Sequence, residues 1–120
     1  MRGVDKPASA TDKAWGWTIE MLADTRRRIM KCFAVDGGYC STHRHKNQAN
    51  IFIVEKGQLR VFIENEGVWL YPNDSISVPP LVRHSFQALA ETLFLEVYIG
   101  VHGSPKLTDI ERFSESGVKR

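Results

Sequence analysis

The feature that most limits what this chain can become is its rhythm of short strands and turns. Apolar and polar residues alternate over short runs, and turn residues cut each run. That is the period of two of a half-buried β-strand, and helical periodicity is nearly absent. Residues 58–64 show it plainly: Leu59, Val61 and Ile63 fall on one face, Arg60, Phe62 and Glu64 on the other. Asp36-Gly37-Gly38, Lys56-Gly57, Asn65-Glu66-Gly67 and Pro72-Asn73-Asp74 supply the turns. The predicted strands run over 15–22, 26–35, 39–45, 50–55, 58–64, 68–71, 75–78, 84–89 and 92–100, and 109–113 is predicted as a short turn of helix. So many short strands at this spacing specify an all-β sandwich or small barrel.

Composition narrows the class. A chain of 120 residues makes one domain, and 42% apolar residues suffice for a core. The polar segment 1–12 is expected to be loose, with the barrel domain over 13–120 and a tail from about 101. A net charge of +2 argues against nucleic-acid binding. Arg26-Arg27-Arg28 reads as a solvated strand edge or as an attraction for an anionic substrate. No apolar run approaches a membrane span, so no membrane partner is expected. Segment 1–12 lacks the apolar centre of a signal peptide, which predicts a cytoplasmic address. Cys32 and Cys40 form neither a CxxC pair nor a disulfide framework and are expected as buried thiols.

The chemistry concentrates at histidine. Of four histidines, His43, His45 and His84 fall in two places, and His102 sits in a glycine-containing loop. His43 and His45 are two apart on a strand and project from the same face. His84 follows Pro79-Pro80 and begins another strand, aimed into the same cavity. Three imidazole nitrogens make a site for one divalent transition metal: zinc, nickel, manganese or iron. Parity places Asn50 beside the pair, as an oxygen ligand or as a group supporting the ligands. Gln48, within the turn, is the alternative oxygen donor and a substrate-contact candidate. Glu96 and Tyr98 share a face of the last strand with Phe94, while Leu93, Leu95, Val97 and Ile99 form an apolar row opposite. That face lines the cavity or stands half exposed. In the first case Glu96 is the candidate catalytic base and Tyr98 a substrate contact. Trp15 and Trp17 are read as packing residues rather than as sugar platforms.

These residues carry a resemblance. Gly37, His43, His45, Asn50 and Gly57 are similar in spacing to the first motif of the cupins, with Asn50 where that motif has glutamate. Asn73, Pro79, Leu81, His84 and Ala88 follow the second motif; proline and histidine match, whereas both glycines and the asparagine are replaced. Over roughly 13–117 the chain most resembles the cupin of type II mannose-6-phosphate isomerases and their small stand-alone relatives. Lys13-Ala14-Trp15-Gly16, Glu96-Val97 and Asp109-Ile110-Glu111-Arg112-Phe113 carry that likeness. The family tail ends Tyr-Gly-Arg, and here it reads Ser116-Gly117-Val118-Lys119-Arg120.

The resemblance implies a double-stranded β-helix, or jelly-roll, barrel and a metal bound by His43, His45, His84 and Asn50. It implies aldose–ketose isomerisation of a sugar or sugar phosphate through an enediolate, with Glu96 moving the proton and Arg112, Lys119 or Arg120 meeting the phosphate. Two other readings stand beside it: a non-catalytic sugar-binding cupin, and an iron-dependent cupin dioxygenase. A homodimer paired through the row from Leu93 to Ile99 is expected.

Overall fold

The computed structural model describes residues 4–119, and every described element is a strand. In chain order these are β1 Thr11–Lys13, β2 Gly16–Ala23, β3 Arg27–Ala34, β4 Gly38–Tyr39, β5 His43–Arg44, β6 Gln48–Lys56 and β7 Leu59–Ile63. Then come β8 Glu66–Leu70, β9 Ser75–Val78, β10 His84–Ala88, β11 Thr92–Gly100, β12 Glu111–Arg112 and β13 Gly117–Val118. One antiparallel sheet has the order β1-β2-β3-β11-β6-β9. The other has the order β12-β5-β10-β4-β13, with β7 pairing β10 and β8 pairing β7. Two packed sheets of this kind are the jelly-roll form of a small all-β domain.

The core lies between the sheets because alternation sends every second side chain there. In β6, Gln48, Asn50, Phe52 and Val54 are buried in turn; in β10, His84, Phe86 and Ala88. Met30, Cys32, Phe52, Val78 and Phe94 from one sheet meet Leu59, Val61, Leu70 and Phe86 from the other. Trp15 closes one end, edge-on to Phe86 at 5.0 Å between ring centres. Each large side chain so buried contributes about 1.5–3 kcal/mol. The apolar half of the interior is therefore the support for its polar half. Cys32 and Cys40 are both free and buried.

Several short elements differ from the sequence expectation. The strand expected over 39–45 is two strands, interrupted where the Cys40 amide turns to Phe86 O and the Thr42 amide to Ser114 Oγ. Residues 109–113 are not a helical turn: β12 pairs with β5, and Phe113 N donates to Thr42 O at 2.8 Å. Thr11 and Asp12, in the segment expected to be loose, pair with Thr18 and Trp17; residues 1–3 lie outside the described ones. Arg26 and Arg27 are exposed, their amides held by the Asp24 carboxylate at 2.9 and 2.7 Å. Trp17 packs on Phe33 and Leu93 outside the main core. No helix among the described residues is long and apolar enough to cross a membrane.

Three backbone positions tie the motifs to this geometry. Gly37 has φ +83, and a β-carbon there would lie 1.9 Å from Lys119 O. Asn73 and Leu81, at the two motif positions where cupins have glycine, also keep positive φ, 75 and 70. Asparagine tolerates that conformation, whereas leucine is strained in it. Leu81 is 57% exposed, so its side chain gains little burial in return. Its amide instead donates to His45 O at 2.6 Å, which links the strained turn to a histidine. Gly37→Ala is expected to lower stability by about 1–3 kcal/mol, and Leu81→Gly to raise it by up to about 1 kcal/mol. Urea midpoints at constant slope measure both; a Leu81→Gly midpoint below that of wild type would refute the strain.

Candidate metal centre

His43 begins β5, His45 follows that strand, and His84 begins β10. β5 and β10 pair directly, with His43 opposite His84. Alternation puts His45 on the same side as His43. The three rings converge, with centres 4.5 Å apart for His43–His84, 5.1 Å for His43–His45 and 5.2 Å for His45–His84. Each offers one nitrogen to a common point, all within 4.8 Å of one another.

The other nitrogen of each ring fixes the tautomer. His43 Nδ1 lies 2.7 Å from Ser41 O, His45 Nδ1 2.7 Å from Asp109 O, and His84 Nδ1 2.9 Å from Val82 O. A carbonyl oxygen only accepts, so each Nδ1 carries the hydrogen and each Nε2 keeps its lone pair. Burial holds the rings neutral. It lowers His43 to about 3, with the neighbouring His84 and His45 adding to the effect, and His84 to about 4. His45 is lowered too, by burial, against the opposing pull of Asp109. Three neutral imidazoles with aligned lone pairs are the form in which histidine binds a transition metal.

Two buried atoms test whether such an ion fits. His45 Nε2 and Asn50 Oδ1 have no hydrogen-bond partner. Leaving a buried polar atom unpaired costs about 1–3 kcal/mol. An ion held by the three Nε2 atoms would satisfy the first, and the donor set suits zinc, nickel or iron. Asn50 is fully buried on β6, with Nδ2 3.4 Å from His84 Nε2. Turning the amide over would point Oδ1 at that ring instead. Asn50 can thus serve as donor to His84 or as an oxygen ligand.

Glu96 lies on the same inner surface, because β11 pairs with β6 and sets Glu96 opposite Phe52 and Tyr98 opposite Asn50. The face carrying Phe94 and Glu96 is therefore the inner one. Glu96 is 7% exposed and accepts a hydrogen bond from the Tyr98 hydroxyl. Burial raises its carboxyl above the usual value of 4.5, against the Tyr98 and Asn50 hydrogen bonds and the Lys13 charge. Burial and the Glu96 carboxylate likewise push the Tyr98 phenol up.

A cavity of about 200 Å³ opens on part of this set; neither His84, expected to aim into it, nor Asn50 is among the residues that line it. His43, His45, Gln48, Glu96, Tyr98 and Arg112 all line it. Gln48 is the first residue of β6 rather than part of a turn, and both ends of its amide are engaged by Lys106, at 3.1 and 2.8 Å. Gln48 thus lines the cavity while its amide is tied to the tail. Arg112 makes no ion pair among the described residues; its neighbour Glu111 takes the tail salt bridge, to Arg44 at 2.9 Å. Lys119 lies over the Tyr39 ring, away from this cavity, and Arg120 is outside the described residues. His102 is exposed. Sequence reasoning overlooked Lys13, a second cation on the cavity wall, and Asp109, whose carbonyl holds His45. Lys13 was hidden because it sits on a three-residue strand, and Asp109 because its partner is 64 residues away.

Comparison with known proteins adds the family. The model of the family described as Cupin domain matches residues 31–98. No curated protein matches the chain. Among solved structures, KdgF from Halomonas superposes with a TM-score of 0.74 at 20% identity, over 84% of this chain and 89% of that one. Pac13 from Streptomyces, described as a nucleoside dehydratase, gives 0.76 at 13% identity, over 89% and 85%. Oxalate decarboxylase from Bacillus subtilis gives 0.74 at 18%, over 87% of this chain but 29% of its own. At these identities the likeness is one of fold.

The buried triad makes stability depend on pH in a definite direction. Below the ordinary histidine value of 6.5 the unfolded chain takes up protons that the folded rings refuse. Stability is therefore lost as pH falls from 6.5 toward the folded values of about 4 and about 3. Glu96 acts oppositely above 4.5, where its raised folded value favours the unfolded state as pH rises. The difference between wild type and His43→Gln isolates the ring. In metal-free urea titrations the wild type should lose stability more steeply than the variant on acidification; parallel curves would contradict the buried neutral triad.

Proposed function

This chain belongs to the cupin family, and from that membership we propose that it is a metal-dependent enzyme that moves a proton on a small, oxygen-rich substrate. The observation that carries the reading is Glu96. A carboxyl raised by burial, oriented by Tyr98 and sharing a cavity with His43 and His45 of the converging triad has the attributes of a general acid–base. His43, His45 and His84 would hold the metal, with Asn50 as the oxygen ligand.

Aldose–ketose isomerisation of a sugar or sugar phosphate is the specific reaction we propose. A bound divalent metal supplies Lewis-acid stabilisation of negative charge on adjacent substrate oxygens. Glu96 then takes the proton from the carbon beside the carbonyl, leaving an enediolate, and returns it to the former carbonyl carbon, while the hydroxyl proton passes from one substrate oxygen to the other. Tyr98 holds the carboxyl in place during both transfers. Arg112 and Lys13, on the wall of the same cavity, suit a phosphate or another anionic group. Binding without turnover is the second reading, and Asn50 favours it. The site holds an amide where the family motif has a carboxylate, so it attracts a hard cation less strongly.

We also propose a homodimer through the outer face of the β1-β2-β3-β11-β6-β9 sheet. β11 and its neighbours align Ile29, Val97 and Ile51 in one row and Leu95 with Ile53 in the next, all half-buried. Leu93, at the end of the expected row, is instead covered within the chain by Trp17 and Phe33.

Protein purified without a histidine tag should take up one zinc, nickel, manganese or iron per chain. It should then interconvert mannose 6-phosphate and fructose 6-phosphate. Glu96→Gln should lower turnover by about a hundredfold or more while leaving metal content unchanged. Turnover absent with every metal, alongside saturable sugar binding, would replace the enzyme with the binding protein; iron uptake with oxygen consumption would point to a dioxygenase. Light scattering should show a dimer at micromolar concentration and a monomer for Val97→Lys, and a monomeric wild type would refute the pairing.

A further inference from the structure

The three ring tethers are not equivalent. His43 and His84 each bond the carbonyl two residues earlier, so their orientation is set locally. His45 bonds Asp109, 64 residues later. The chain around His45 is held by the same distant segment. The Asp109 carboxylate accepts from the Lys46 amide at 3.0 Å and the Asn47 amide at 2.9 Å. Gln48 bonds the Lys106 main chain through both ends of its side chain. Residues 45–48 are thus each bonded to the stretch 106–109.

That stretch belongs to a strap pinned further along. β12 lies against β5, with Arg112 opposite His43, and β13 lies against β4. Phe113 donates its amide to Thr42 O at 2.8 Å and receives the Arg83 guanidinium on its ring at 3.7 Å. The Lys119 amide closes the strap on Gly37 O at 2.8 Å. Neither sheet needs the strap in order to pair its longer strands.

We propose that Asp109 is a positioning residue for the metal centre, and that the strap 105–119 and the metal are coupled through it. Docking of the strap aims His45 Nε2 at the point shared with His43 and His84. An ion bound at that point holds His45, and through His45 the strap. Coupling of this kind is reciprocal: the strap raises metal affinity by the factor by which the metal favours the docked strap. The proposal rests on the triad being a metal site.

Asp24 provides a matched control. Its carboxylate also accepts two successive main-chain amides, those of Arg26 and Arg27, but at a turn that does not line the metal cavity. Zinc and nickel affinity should be measured by competition with a chromophoric chelator for wild type, Asp109→Ala, Asp109→Asn and Asp24→Ala. Loss of a group that orients a ligand costs about 10–100-fold in metal affinity. Asp109→Ala keeps the carbonyl that holds His45 but removes the carboxylate that docks it on the Lys46 and Asn47 amides, so it should lose about tenfold, the low end of that range. Asp109→Asn should lose less, because its amide oxygen still accepts, and Asp24→Ala nothing. In the unaltered protein, zinc should slow hydrogen exchange at the Lys106 and Phe113 amides, a readout that needs no variant to fold. Wild-type protein that binds neither ion would overturn the metal reading of the triad. Wild-type binding with unchanged affinity in Asp109→Ala, or with exchange at Lys106 and Phe113 unmoved by zinc, would overturn the coupling alone.

Discussion

Three main-chain carbonyls, at Ser41, Val82 and Asp109, decide what this cavity can be. Each draws the Nδ1 hydrogen of one histidine outward and leaves the opposite lone pair facing in. Without them the rings, though brought to one side by strand pairing, could rotate, change tautomer or bond to one another. The carbonyls are placed in turn by the pairing of β5 with β10 and by the docking of the tail. The apolar packing of Phe52, Phe86 and Phe94 beneath the rings keeps both sheets at the right separation.

The balance of charge inside the cavity is unusual. The rings are neutral and Asn50 is neutral, so the converging donors carry no negative charge of their own; Asp109 acts on His45 through its charge, and Glu96 lies on the cavity wall outside the donor set. Burial favours the protonated form of Glu96. A divalent cation nearby would reverse that preference, since the ion's charge becomes the largest local term. Lys13 from β1 and Arg112 from β12 add positive charge to the wall of the same space, which suits an anionic ligand.

Much of this was legible in the sequence because it rests on period two. His43 with His45, and Asn50 with Phe52 and Val54, share faces in the structure as alternation requires. The long strands β6, β7, β10 and β11 lie close to their expected limits. Periodicity could not decide which face of β11 turned inward; the pairing of Glu96 opposite Phe52 did. Two-residue strands such as β12 and β13 carry no periodic signal at all. Local propensity at 109–113 favoured a helical turn, and pairing with a segment some 67 residues away overrode it. Gln48 was misread for a similar reason: its place in β6 depends on Gly100 opposite it and on Lys106 beyond.

The tail has a consequence beyond the ligand that it aims. β12 and β13 cover the open margins of β5 and β4, whose main-chain donors and acceptors would otherwise face water. Bare strand margins invite pairing with another chain. A segment that leaves its own body and finds the same margins on a neighbour would produce an exchanged pair with every native bond intact. By occupying those margins, the C-terminal stretch removes two edges on which a neighbouring copy could pair.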